Sequence, residues 1–235
     1  MSERAVEVRG LVRTFVEGDQ EVTALKGVDL TVAGGEFTAV AGPSGSGKTT
    51  LFNLVGGLDE PTSGDVLLEG RPLRGLSRRE LARLRLERIG FVFQAYNLIP
   101  VLSAFENVEY PLILKRTAPA ERRRRVSELL GAVGLGDLMH RRPAHLSGGQ
   151  QQRVAIARSL VCEPAVVLAD EPTANLDSAT GQSLLDLMAR LNRERGLTFL
   201  FSTHDPMVMG AARRLIRLHD GRVESDVRQG GDPRP

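Results

Sequence analysis

The stretch Gly42-Pro43-Ser44-Gly45-Ser46-Gly47-Lys48-Thr49 has the residue types and the spacing to hold phosphate. It fits G-x-x-x-x-G-K-[ST] without a gap. Its glycines let successive backbone N–H groups turn toward phosphate oxygens, and a helix start at Lys48 adds its own unpaired N–H groups. Lys48 is then placed for the β- and γ-phosphates and the Thr49 hydroxyl for Mg2+. The bland reading is a glycine-rich turn with an incidental Gly-Lys-Thr. The apolar run before it (37–41) and the helical spacing from Thr50 after it argue against that. The stretch implies binding of a nucleoside triphosphate.

Other residues suit the same chemistry. Asp170 and Glu171 follow Ala165-Val166-Val167-Leu168-Ala169, a continuous apolar run of the kind buried on both faces of a parallel sheet. Open α/β sheets place ligands at the carboxyl ends of such strands. Asp170 there suits Mg2+, directly or through water, and Glu171 suits orienting an attacking water or taking its proton. The plainer reading is a polar strand terminus before a proline turn. His204 follows the strand expected over 198–202, at the same edge, where it would donate to a γ-phosphate oxygen; elsewhere such a histidine is a satisfied surface group. Gln94 ends the strand expected over 89–93, within reach of the Mg2+ shell or the water. Ser147, ahead of Gly148-Gly149-Gln150, is a good N-cap. The helix that follows is either a second anion-binding N-terminus or simply a capped helix start.

These groups need a scaffold. Residues 5–14 and 21–32 flank the polar loop 16–20 and read as a small antiparallel sheet. Phe15, just before that loop, is either ordinary core or a platform on which a purine stacks. A strand is expected over 65–69, and Ser77-Arg78-Arg79-Glu80 has the capping-box pattern that opens a helix to about Arg88. From about Ala95 to Arg158 the signal turns helical, with Pro119 opening one helix and Gly134 able to stop it. Arg122 to Arg125 on that helix are either a solvated face or a contact for anionic lipid or a partner. A helix over 178–195 and short strands over 215–218 and 222–224 close the fold, and residues 226–235 read as a flexible tail. The pattern is an α/β nucleotide-binding core with a helical insertion.

Composition sets bounds. At 235 residues the chain supports one sizeable core, and 41% hydrophobic with 26% charged residues is ordinary for a globular protein. A net charge of +2 is too small to suggest bulk nucleic-acid binding. Lys26, Lys48 and Lys115 are the only lysines, and an arginine would not replace the compact Lys48 ammonium between phosphates. Cys162 is the only cysteine, which excludes an internal disulfide and leaves a small buried thiol. The start lacks the apolar segment of a signal peptide, and no stretch approaches the ~18 apolar residues of a membrane span.

Leu146-Ser147-Gly148-Gly149-Gln150, with the motifs above, resembles the nucleotide-binding subunit of ATP-binding cassette (ABC) transporters over nearly the whole chain. LSGGQ falls on 146–150, the Walker A loop on 42–49, the Walker B strand on 166–171, and the Q-loop on Gln94. The D-loop falls on Asn175-Leu176-Asp177 and the switch histidine on His204. The resemblance implies one cassette over 1–225, with a RecA-like P-loop core, an antiparallel β subdomain and a helical subdomain inserted at about 95–160. It implies ATP and Mg2+, with adenine stacked on Phe15 and the phosphates held by Gly42, Pro43, Ser44, Gly45, Ser46, Gly47, Lys48, Thr49 and Thr50. Thr49, Gln94 and Asp170 would serve Mg2+; Glu171, His204, Gln94 and Lys48 would serve catalysis. Ser147, Gly148, Gly149, Gln150 and Asp177 would act across a head-to-tail homodimer formed on ATP.

A narrower likeness rests on Gly90-Phe91-Val92-Phe93-Gln94, Asn97-Leu98-Ile99-Pro100, Glu106-Asn107-Val108, Ala24-Leu25-Lys26-Gly27-Val28 and Gly56-Gly57-Leu58-Asp59. These resemble the lipoprotein-releasing and macrolide-export branch, although Ala174 and Tyr110 depart from its usual glycine and leucine. That branch implies an integral membrane permease subunit with an extracytoplasmic domain, and a place on the cytoplasmic face of the inner or plasma membrane. It implies no nucleic-acid partner. The alternatives are a soluble ABC ATPase of DNA repair or translation, or an importer ATPase. The first two call for long insertions or a second cassette. The third calls for a regulatory domain, and only about thirty residues follow His204.

Overall fold

The computed structural model describes residues 4–18 and 20–229. The strands are β1 (Arg4–Glu17), β2 (Gln20–Ala33), β3 (Phe37–Ala41), β4 (Ser63–Leu68), β5 (Arg71–Pro72), β6 (Ile89–Val92), β7 (Val166–Asp170), β8 (Phe199–Thr203), β9 (Arg214–His219) and β10 (Arg222–Arg228). The helices are α1 (Lys48–Val55), α2 (Arg78–Arg88), α3 (Ala104–Leu114), α4 (Pro119–Ala132), α5 (Gly148–Leu160), α6 (Ser178–Arg195) and α7 (Pro206–Ala211).

Two sheets form. One is antiparallel in the order β2-β1-β4-β5; the other runs β10-β9-β3-β8-β7-β6, parallel from β9 through β6, with β10 antiparallel at its edge. The apolar runs of the parallel strands serve two cores at once because side chains alternate between faces. Val166 and Leu168 point to the core shared with α1 and the antiparallel sheet. Val167 and Ala169 point to the core shared with α5 and α6. Phe199 and Phe201 are fully buried on that second face, and truncating either to Ala would cost ~3–5 kcal/mol. This double burial holds the carboxyl ends of β3, β7 and β8 in fixed register.

The capping box expected at Ser77 is present: the Glu80 N–H donates to its hydroxyl and the Ser77 N–H donates to the Glu80 carboxylate. The helix over 178–195 is also as expected, capped by Asp177. The loop expected over 16–20 is shorter, because β1 runs on to Glu17 and β2 begins at Gln20. Three further differences stand out. Residues 95–103 are turns rather than the start of a helical region, because the buried Asn107 carboxamide organises them. It accepts the Ile99 N–H at 2.8 Å and donates to the carbonyls of Ile99, Leu102 and Ser103 at 2.9–3.1 Å. The second difference is the expected tail. β10 runs on through Arg228, paired to β9 and fastened by Arg214 to Asp226 at 2.6 Å, so 226–228 are strand; residues 230–235 lie outside the described residues. The third is α7, which periodicity missed because it has only six residues.

The arginine run is largely used up within the chain. Arg122 pairs with Glu109, Arg124 with Glu121 and Glu128, and Arg125 with Glu121 and Glu163. Donation from Arg124 and then Arg125 draws the Glu121 carboxyl down to about 2. That is the behaviour of a solvated, ion-paired face. Among the described residues no helix is long and apolar enough to cross a membrane.

Candidate active site

The phosphate loop leaves the buried end of β3 and enters α1. Gly47 caps α1 at φ +101, in the left-handed region, and an added Cβ would lie 2.7 Å from the Ala24 carbonyl. No side chain caps this helix, so its first N–H groups remain available to an anion. Lys48 is 8% exposed, and its Nζ donates to the carbonyls of Gly42 at 2.7 Å and Pro43 at 3.0 Å. An ammonium has three N–H donors, so one is left for a phosphate oxygen.

Across the cleft, Asp170 ends β7 in register with Ser202 of β8. Glu171 follows at φ +46, a strained setting for a non-glycine residue, held by its N–H to the Ser202 carbonyl at 2.9 Å. Its carboxylate is fixed by β8 and the residue after it. The Thr203 hydroxyl donates to Oε2 at 3.2 Å and the His204 N–H to Oε1 at 3.1 Å. The His204 Nδ1 lies 2.6 Å from the same Oε1.

One cleft of about 690 Å3 gathers most of the expected residues: Pro43, Ser44, Gly45, Gly47, Lys48, Thr49 and Thr50 on one wall, Gln94, Asp170, Glu171 and His204 on the other. Ala24 and Ser202 line it too, and the sequence assigned neither a role at the site. Thr49, Gln94 and Asp170 bring hard oxygen donors to one hollow with few protein ligands. That fits Mg2+, which keeps several waters and takes the rest of its shell from substrate phosphates. Among the described residues no cluster of three or more His, Cys, Asp or Glu could hold a metal alone. Gly42 and Ser46 support the loop from behind: the Ser46 Oγ is enclosed without a partner, and its carbonyl accepts the Gly221 N–H at 3.1 Å.

Besides Gly42 and Ser46, six expected residues lie outside this cleft. Phe15 is 36% exposed, with the Arg13 guanidinium 4.5 Å from its ring centre, so it is not core. Ser147, Gly148, Gly149 and Gln150 form the start of α5, where Ser147 and Gln150 make a reciprocal capping box. Gly149 is required there, because a Cβ would meet the Thr180 methyl at 2.4 Å. The Asp177 carboxylate caps α6, accepting the Thr180 N–H at 2.9 Å and its hydroxyl at 2.6 Å, which lowers its pKa. Asp177 is thus the sixth residue off the cleft, committed to its own helix.

Two further residues tie these parts together: Arg158, which sequence reasoning missed, and Asn175, which it placed in the D-loop without foreseeing this contact. The Arg158 guanidinium of α5 donates to the carbonyls of Tyr96 at 2.8 Å and Asn97 at 2.5 Å, two consecutive residues at φ +58 and +50. The Asn175 amide donates to the Gln94 carbonyl at 2.8 Å. The segment after Gln94 is therefore anchored to α5 and to the turn after Glu171. Arginine spacing on a helix gives no hint of a backbone target, so no pattern could have exposed the first.

Fold and cleft define the class: an α/β P-loop protein built to bind and hydrolyse a nucleoside triphosphate. Residues 25–174 match the ABC transporter family. The chain belongs to that family, as an ATP-binding cassette and an ATPase. It is 50% identical over 222 residues to the macrolide export ATP-binding/permease protein MacB of Marinobacter nauticus, covering 94% of this chain and 34% of that protein. It is 44% identical to the ABC transporter ATP-binding protein YtrE of Bacillus subtilis, covering 94% of this chain and 98% of that one. A solved dimeric ATP-binding cassette in a post-hydrolysis state with ADP and Pi superposes with a TM-score of 0.87 at 45% identity, over 97% of this chain and all of that one. The chain spans about a third of the length of the macrolide-export relatives it matches, 34% for the Marinobacter protein.

Proposed function

We propose that this cassette binds ATP with Mg2+, pairs head to tail with a second copy on it, and drives an integral membrane permease subunit from the cytoplasmic face. The observation that carries the reading is the single cleft in which Lys48, Thr49, Gln94, Asp170, Glu171 and His204 meet. The loop N–H groups and the third Lys48 proton hold the β- and γ-phosphates. Mg2+, held by Thr49 and Asp170 with Gln94 beside it, would neutralise charge on the phosphate oxygens. Glu171 orients a water in line with the γ-phosphorus and takes its proton. The water oxygen bonds to phosphorus, the bond to the β–γ bridging oxygen breaks, and ADP leaves. His204 donates to a γ-phosphate oxygen, and Phe15 offers a ring face for adenine.

A single copy leaves the γ-phosphate open to solvent. The exposed Ser147, capped with Gln150 at the start of α5, lies off its own cleft, which supports its completing the cleft of a second copy. Closing the pair excludes water and fixes the line of attack. Relatives named for macrolide export carry a permease in the same protein, which supports a membrane permease as the element driven; an extracytoplasmic domain on that partner is what the likeness to the branch implies. The test is mass spectrometry of what co-purifies from detergent-solubilised native membranes with Glu171→Gln, ATP and Mg2+. A partner with few spans and a large extracytoplasmic domain is expected. A many-span permease, or no membrane protein, would contradict the branch.

A further inference from the structure

Gln152 lies on α5, one and a half turns in from Ser147. Its side chain is fully buried, and its Nε2 donates to the Pro172 carbonyl at 2.8 Å. Its Oε1 is enclosed with no hydrogen-bond partner. A buried amide with an orphaned acceptor is a liability among the Val154, Ala155, Ile156 and Ala157 that otherwise line this helix. Packing therefore gives no account of a glutamine here; the contact to Pro172 does.

Pro172 follows Glu171, whose φ of +46 persists only if its surroundings over-determine it. Three contacts do so. The Glu171 N–H donates to Ser202 and the Thr173 hydroxyl donates to Asp205 at 2.8 Å, both on or just past β8. The third is Gln152, the only one of the three that comes from α5, whose N-terminus is the element offered to the second copy. A rigid helix displaced at its start moves Gln152 and, through the Pro172 carbonyl, the residue that carries the carboxylate. A misplacement of about 1 Å at a reacting group changes rates on the order of a hundredfold.

We infer that Gln152 is a positioning residue for Glu171, through which the seating of α5 on the partner's nucleotide sets the competence of the chain's own site. This rests on the head-to-tail ATPase reading. The variant is Gln152→Met, which keeps the length of the side chain and removes both the donor and the orphaned acceptor. Steady-state hydrolysis by the purified full chain is measured against ATP concentration, alongside thermal unfolding. The expected result is kcat lower by about 10–100-fold with KM within about twofold, and a Hill coefficient falling toward 1. In the Glu171→Gln background the same change should leave residual turnover as it was, because no base remains to be positioned.

A purely structural role would lower residual turnover in both backgrounds and leave the Hill coefficient alone, overturning the inference. A folded Gln152→Met chain with normal kcat would overturn it too, while leaving the ATPase reading standing. Normal turnover by Glu171→Gln alone would overturn the reading beneath it.

Discussion

The Nδ1 of His204 lies 2.6 Å from Oε1 of Glu171, within hydrogen-bond distance. Glu171 is recessed, its side chain 15% exposed, whereas His204 is 71% exposed. The solvent-facing partner of the pair is the histidine. In the proposed mechanism an entering γ-phosphate would offer the imidazole a second acceptor and leave Oε1 to a water, coupling substrate arrival to release of the base.

Glu171→Gln keeps the fold and the phosphate loop but removes the base. Turnover should fall by roughly 10²–10⁴-fold with ATP affinity unchanged. Steady-state phosphate release and equilibrium nucleotide binding check this; near-normal hydrolysis would remove Glu171 from the role.

His204→Ala removes one donor to the γ-phosphate and the gate on Glu171. The expected loss in kcat is about 10²-fold, with KM for ATP nearly constant, because the donor acts on charge that grows in the transition state. A rise in KM alone would make His204 a binding residue instead.

Lys48 sits inside the loop against two carbonyls. Lys48→Ala should weaken ATP binding about 10–100-fold, the worth of a charge-assisted contact of ~1.5–3 kcal/mol. Titration with a fluorescent nucleotide reads it directly, and unchanged affinity would count against the phosphate-loop assignment.

Asp226 tests the end of the fold. The Arg214 guanidinium holds its carboxyl below the ordinary carboxylate value. A lowered folded pKa contributes stability that is fully present above the unfolded value of about 3.9 and is lost as pH falls through the folded one. Asp226→Asn should therefore cost up to about 1 kcal/mol at pH 7, the ceiling for a partly exposed pair. The gap to wild type should close as pH falls below about 3.9 in denaturant titrations. A gap that persists to low pH would mean the pair is not its source.

Much of this was legible in the chain because local pattern and tertiary role coincide. The apolar runs at β3, β7 and β8 are readable because strands buried on both faces tolerate nothing else, and Gly47 because only glycine suits φ +101 beside a carbonyl. What was hidden depends on single side chains reaching distant backbone. Asn107 reorganises 95–103, and β10 extends past Ser225, where the Arg214 guanidinium pairs with Asp226; neither shows as periodicity or turn chemistry. Gln152 was hidden for the same reason, a polar residue in a polar-looking run whose target lies twenty residues on. Phe15 shows the converse: its spacing left core or a stacking platform open, and the fold exposes it.

The central claim is that ATP joins two copies through Ser147 of each. The most direct measurement is the mass in solution of Glu171→Gln, with and without ATP and Mg2+, beside the same chain carrying Ser147→Arg. The expected result is a monomer that becomes a dimer only with ATP, and a Ser147→Arg chain that binds ATP equally well yet stays monomeric. A monomer under both conditions, or a Ser147→Arg chain that dimerises normally, would contradict the head-to-tail site.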